Sequence, residues 1–175
     1  MYYVVQVAPR GEQKIVNLIK CGVPKEICSE CFFPMRDIRR KIRGEFMNYR
    51  EKMFPGYVFV EAENPERLRK EMQNIPHLTK MLGVNYDADA ETFDFIALSA
   101  DEVAWLTQII SKEDGGIVPL SRVSVNEQGI VQILSGPLEH LENQVLKFDL
   151  HKRIAKVRVK FNGKIVVLHM GIEIV

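Results

Sequence analysis

RIAKVRVKFNGKIVVLH, residues 153–169, holds two apolar–polar alternations on either side of Asn162-Gly163. Ala155, Val157, Val159 and Phe161 fall on one face of the first run, with Lys156, Arg158 and Lys160 on the other. That period of two marks strands with one buried side. Asn-Gly supplies two successive left-handed residues, so the runs are predicted to close as a tight hairpin. Upstream, Ser121 to Asn126, Ile130 to Leu134 and Gln144 to Asp149 are further strand candidates at short spacing. Five short strands in about 55 residues bury their apolar faces most economically as a small barrel without long edges.

The pattern before this segment is different. Lys112-Glu-Asp-Gly-Gly116 and Pro119 break it with charge and turn residues, which predicts a linker over 112–119 between domains at 1–111 and 120–175. In the first domain, Tyr3, Val5 and Val7 alternate with Tyr2, Val4 and Gln6 as a strand that Pro9-Arg10-Gly11 ends. Ile15, Leu18 and Ile19 recur at helical spacing up to Gly22, a candidate C-terminal cap. Phe32 and Phe33 open an extended region that continues through a basic stretch into Tyr57-Val58-Phe59-Val60. Asn64-Pro65-Glu66 starts a second helix with Leu68, Met72 and Ile75 on one face and Pro76 as its stop. Ser99-Ala-Asp-Glu102 reads as a capping box before Val103, Leu106 and Ile110. Strand, helix, extended pair, helix, short strand and helix make an α+β domain.

Composition excludes several classes. With 46% hydrophobic and 27% charged residues, the chain is an ordinary globular sequence. It has neither an apolar run long enough for a bilayer nor the pattern of a signal peptide, and a cytoplasmic location without membrane contact is expected. The net charge of +1 hides segregation: +5 over residues 1–84, −7 over 85–114 and +3 over 115–175. Two basic zones around an acidic one suggest a surface for a polyanion. Cys28-x-x-Cys31 is half of a zinc site, and His77, His140, His151 and His169 show no paired spacing to complete it, so no metal is expected. Phosphate-cradling glycines, a nucleophile elbow and metalloprotease spacing are all missing, which points away from an enzyme and from any cofactor.

Two stretches remain as candidate sites. Arg36, Arg39, Arg40, Lys41, Arg43, Arg50 and Lys52 crowd a segment with only Asp37, Glu45 and Glu51 as counter-charges. On an extended hairpin these side chains can present forks to phosphates, with Phe46 and Tyr49 as stacking faces; a merely solvated hairpin fits the pattern equally well. Phe54-Pro-Gly-Tyr57 places two large aromatics around a turn, either as core or as anchors for a partner's helical hairpin.

Tyr2-Tyr-Val-Val-Gln6, Gly11-Glu-x-Lys14, FPGYVFV at 54–60, Gly136-Pro-Leu138 and the run 145–158 together resemble the NusG family of transcription elongation factors over nearly the whole chain. Within the family the resemblance is to the specialised LoaP branch, through 75–80, Leu138-Glu139 and 149–153. The resemblance implies an N-terminal NGN α/β sandwich and a C-terminal KOW domain, an SH3-like five-stranded β-barrel. It implies a non-enzymatic, monomeric factor that binds the clamp helices of the RNA polymerase largest subunit through Phe54, Pro55, Gly56 and Tyr57, with Tyr3 lining the same pocket. LoaP-like members act as processive antiterminators recruited by a leader RNA hairpin, which would make the basic segment the reader of nascent RNA. The family's KOW domain docks Rho or a small-subunit ribosomal protein, and KOW domains also occur in ribosome-associated RNA-binding proteins. Asn143 stands where the KOW motif usually has glycine, a position where asparagine is expected to tolerate a left-handed backbone.

Overall fold

Along the chain the first elements are β1 (Tyr2–Gln6), α1 (Glu12–Gly22), β2 (Glu30–Phe32), β3 (Met35–Ile42), β4 (Glu45–Lys52), β5 (Tyr57–Glu61) and α2 (Pro65–Gln73). Short strands β6 (Tyr86–Asp87), β7 (Thr92–Phe93) and β8 (Ile96–Ala97) precede α3 (Ala100–Ile109) and β9 (Ile117–Val118). The rest comprises β10 (Ser121–Val125), β11 (Val131–Ser135), a 3-10 segment (Pro137–Gln144), β12 (Val145–Asp149), β13 (Ile154–Phe161) and β14 (Lys164–Ile174). The structure, a computed structural model, describes residues 1–8, 10–75, 95–111 and 114–175, and the backbone of 86–87 and 92–93. Pro9 and Pro76 as terminators, the stretch 76–80, the linker residues 112–113, and Asp89, Glu91 and Asp94 of the acidic segment lie outside the described residues.

By compactness the chain forms two units, one of Met1–Phe33 with Phe54–Ser99 and the other of Pro34–Met53 with Ala100–Val175. The expected division at 111 and 120 follows chain order, whereas compactness groups the β3–β4 hairpin and α3 with the C-terminal strands.

The first unit is a sheet in the order β2-β5-β1-β8, with β1 and β5 antiparallel and Tyr3 opposite Val60. Ile15, Val16 and Ile19 of α1 and Leu68 and Met72 of α2 share one buried core with Tyr3, Val5, Val58 and Val60. Each such side chain contributes about 1.5–3 kcal/mol by leaving water. The Asn64 start of α2 forms as expected, its side-chain oxygen accepting from the Arg67 N–H at 3.0 Å, with Pro65 at the first helical turn. Gly22 corrects one expectation. It is the last helical residue, followed by extended Val23, and a Cβ there would lie 2.8 Å from Ile75 Cγ1. Its role is close packing beneath Ile75 rather than a left-handed cap.

The second unit contains the five C-terminal strands in one curled sheet, ordered β11-β10-β14-β13-β12. β10 and β14 run parallel, with Ser121 opposite Ile172, and the other neighbours are antiparallel. Ala155, Val157, Val159 and Phe161 are buried as their period predicts, and φ is +52° at Asn162 and +69° at Gly163, as a two-residue hairpin of this kind requires. The last strand extends beyond His169 to Ile174. Gly136 has φ +98° and no space for a side chain, since a Cβ would approach Ser121 Cα at 2.9 Å. Asn143 sits in the 3-10 segment with an ordinary negative φ, so the expected left-handed turn there does not form; Arg153, at φ +57°, adopts that conformation instead. Within the same unit β3 pairs with β4 and, in parallel, with β9. The Glu102 carboxylate of the expected capping box, 3% exposed, accepts from the Gly163 N–H at 3.1 Å, and Trp105 Nε1 donates to the Lys160 carbonyl at 3.2 Å.

Candidate functional site

The Phe54-Pro55-Gly56-Tyr57 stretch is a turn with proline in its second position and glycine in its third, where φ is +83°. This sequence suits a type II turn, because only the third residue needs a left-handed backbone. Three hydrogen bonds hold it: Tyr57 N–H donates to Phe54 O at 3.3 Å, Val7 N–H donates to Gly56 O at 2.8 Å, and Gly56 N–H donates to Glu12 Oε1 at 2.8 Å. Glu12 is 1% exposed in the first turn of α1, where a carboxylate also complements the helix dipole. The turn thus leaves Pro55 exposed and Tyr57 half-buried above a buried Phe54.

Phe54 belongs to an aromatic chain. Its ring lies 5.8 Å from Phe59, Phe59 stacks on Phe32 at 5.8 Å, and Phe32 meets Tyr2 edge-on at 6.4 Å. The structure does not bring Tyr3 to this group. Tyr3 points into the core covered by the helices and meets Phe95 at 6.0 Å, because successive strand residues face opposite ways. Tyr2 occupies the Phe54 side, and its hydroxyl donates to Glu30 Oε2 at 2.8 Å. Burial, and then this carboxylate, push the Tyr2 phenol well above its ordinary range.

The basic segment forms the β3–β4 hairpin with Arg43 and Gly44 at its tip, both at positive φ. Most of its guanidinium groups are engaged. Arg36 and Arg40 share Glu51 at 2.6 and 2.8 Å, Arg50 pairs with Asp37 at 2.8 Å, and Arg39 pairs with Glu173 at 3.1 Å. Phe46 is flanked by Lys41 at 5.9 Å and Arg153 at 4.7 Å, and Tyr49 by Arg40 at 5.6 Å. The exposed tip keeps Lys41 and Arg43 without a carboxylate partner among the described residues; Lys52 is half-buried at the hairpin base. In the same unit, β13 carries Lys156, Arg158 and Lys160 outward, with Lys156 opposite Lys147, and none of the four has an acidic partner among the described residues. Like charges opposed across strands are unfavourable unless an anion comes between them.

Residues 1–105 match the family described as transcription termination factor NusG. The chain belongs to the NusG family. It is 22% identical over 180 residues to the transcription termination/antitermination protein NusG of Helicobacter pylori (strain ATCC 700392 / 26695), covering 98% of this chain and 97% of that one. It is 24% identical over 172 residues to the protein of the same description from Campylobacter jejuni, covering 93% and 89%. A solved structure described as "Domain interaction in Thermotoga maritima NusG" superposes with a TM-score of 0.53 at 18% identity, over 97% of this chain and 92% of the other, which supports the NusG fold.

In this NusG-family chain, sequence reasoning missed Glu12, Tyr2, Phe32 and Phe59. Glu12 lies 44 residues from the N–H it accepts, and no local pattern signals that bond. The parity of β1 did carry a signal: Tyr2 and Val4 alternate with Tyr3 and Val5, so the strand's register against β5 decides which tyrosine joins Phe54.

Proposed function

We propose that this chain is a non-enzymatic transcription elongation factor of the NusG type, acting as a processive antiterminator in the manner of the LoaP branch. The observation that carries the reading is the Phe54-Pro55-Gly56-Tyr57 turn, pinned through Gly56 to a buried carboxylate with Pro55 and Tyr57 left toward solvent. A rigid turn with an aromatic rim suits the clamp helices of RNA polymerase, because anchor area is offered at low entropy cost. Binding there would favour the elongating state of polymerase as a population shift.

Nascent RNA is the second partner. Lys41 and Arg43 at the hairpin tip are the cations most available to phosphates of a leader hairpin, with Lys156, Arg158 and Lys160 as a further contact. Arg36, Arg39, Arg40 and Arg50 orient the hairpin through their carboxylates, and Lys52 lies at its base. In this reading 1–111 is the NGN domain, 112–119 a linker and 120–175 a KOW domain, and the factor works in the cytoplasm as a monomer. Among the described residues no helix is long and apolar enough to cross a membrane. The second reading, a general NusG that couples polymerase to Rho or to a small-subunit ribosomal protein, is favoured by the 22–24% identity to NusG proteins along almost the whole chain.

Single-round transcription through an intrinsic terminator, without Rho and with or without a leader RNA, separates these readings. Readthrough that needs both protein and leader supports antitermination. Leader-independent changes in pausing support the general factor, and no effect on polymerase overturns both.

A further inference from the structure

Cys28 and Cys31 lie together at an open cleft of about 310 Å³ in the first unit, which Lys20 and Lys25 also line. Cys28 ends the turn after α1, and Cys31 sits in the edge strand β2 opposite Val60. Both thiols line this cleft three residues apart, and Cys28 Sγ donates to the Glu30 carbonyl at 3.2 Å. Both are free thiols and buried, whereas Cys21 is free and exposed. Among the described residues no group of three or more His, Cys, Asp or Glu could hold a metal ion. Two free thiols three residues apart on one lysine-lined cleft are the minimal apparatus of thiol–disulfide exchange.

We propose that Cys28 and Cys31 are a thiol–disulfide exchange site that takes a small disulfide bearing carboxylates. Cys28 is the attacking sulfur and Cys31 the resolving one. The neighbouring Cys31 thiol holds Cys28 below the ordinary thiol range, while Cys28 and burial push Cys31 up. In the first step the Cys28 thiolate attacks one sulfur of the small disulfide, whose S–S bond breaks. One half leaves as a thiol and the other stays on Cys28. Cys31 then gives up its proton and attacks Cys28 Sγ, releasing the second thiol. Two electrons and two protons pass from the protein to the small disulfide, leaving one Cys28–Cys31 bond and two small thiols.

Oxidised glutathione is a suitable probe, with Cys21 as an internal reference. After incubation of the full chain, acid quenching and alkylation, the peptide bearing Cys28 and Cys31 is expected to lose two hydrogens and resist alkylation, and dithiothreitol should reverse this. Cys31→Ser should accumulate one glutathione on Cys28, and Lys20→Glu with Lys25→Glu should slow the reaction several-fold while leaving the neutral 2-hydroxyethyl disulfide unaffected. The unsubstituted chain supplies a decision even where a serine variant fails to fold. If Cys28 and Cys31 are still alkylated under conditions that have converted Cys21 to its glutathione adduct, the proposal is overturned. A mixed disulfide on Cys28 that never resolves in the unsubstituted chain overturns it equally.

Discussion

Replacing Glu12 by alanine should loosen the aromatic turn and destabilise the first unit together. Its carboxylate is 1% exposed and accepts the Gly56 N–H at 2.8 Å, so truncation leaves that donor without its charged acceptor. Loss of a hydrogen bond to a charged group costs about 1.5–3 kcal/mol, and loss of a negative charge at a helix start adds about 0.3–1 kcal/mol. The better helix propensity of alanine returns only a few tenths of that, about 0.3 kcal/mol. The net expectation is about 1.5–3.7 kcal/mol for Glu12→Ala, and about 1 kcal/mol for Glu12→Gln, which retains a neutral acceptor. Urea unfolding followed by far-UV circular dichroism measures the loss, and amide exchange at Gly56 reports the bond itself. The order alanine, glutamine, parent should hold in both. If Glu12→Ala stays within about 0.5 kcal/mol of the parent, as an uninvolved surface position would, and Gly56 exchange is unchanged, the carboxylate does not hold the turn.

In the proposed reading, where the half-buried Tyr57 ring is an anchor rather than core, Tyr57→Ala weakens polymerase binding about 10-fold or more while the melting of the second unit is unchanged. Lys41→Glu with Arg43→Glu should lower affinity for structured RNA and flatten the salt dependence by about 0.7–0.9 per lost phosphate contact in a filter-binding titration; an unaltered slope removes the hairpin tip from the RNA surface. Gly171→Ala should cost about 1–3 kcal/mol or more by thermal melting, because its Cβ would overlap the Asp37 carbonyl and come within 2.6 Å of Leu120 Cδ2. The raised Tyr2 phenol predicts stability that is complete below its unfolded pKa of 10.0 and is lost as pH rises beyond it. Tyr2→Phe should remove that alkaline dependence in pH-resolved urea melts.

Local chemistry made several features legible before any coordinates. Asn64-Pro65 and Asn162-Gly163 each constrain their own backbone, and both formed as read. What escaped were relations between distant residues. The acidic partner of Arg39 is Glu173, 134 positions away, so the charge density of 36–52 looked freer than it is. Gly22 resembled a cap because helix ends favour glycine, yet its constraint comes from Ile75, which only the packing of α2 against α1 brings close. The 3-10 segment Pro137–Gln144 gave no long periodic signal, although Leu138 and Leu141 are fully buried there.

The parallel pairing of β10 with β14 has a consequence for the order in which the molecule can be made. Ser121 leaves the ribosome roughly fifty residues ahead of its partner Ile172. At synthesis rates of about 5–20 residues per second this is a wait of about 3–10 s, far longer than a hairpin needs to form. During that interval β10 and β11 can pair, but one side of β10 stays open until the final strand arrives. The C-terminal sheet therefore matures late, after the turn at 54–57 and its carboxylate clamp have had time to assemble, and the nascent chain holds that turn while β10 still waits for β14.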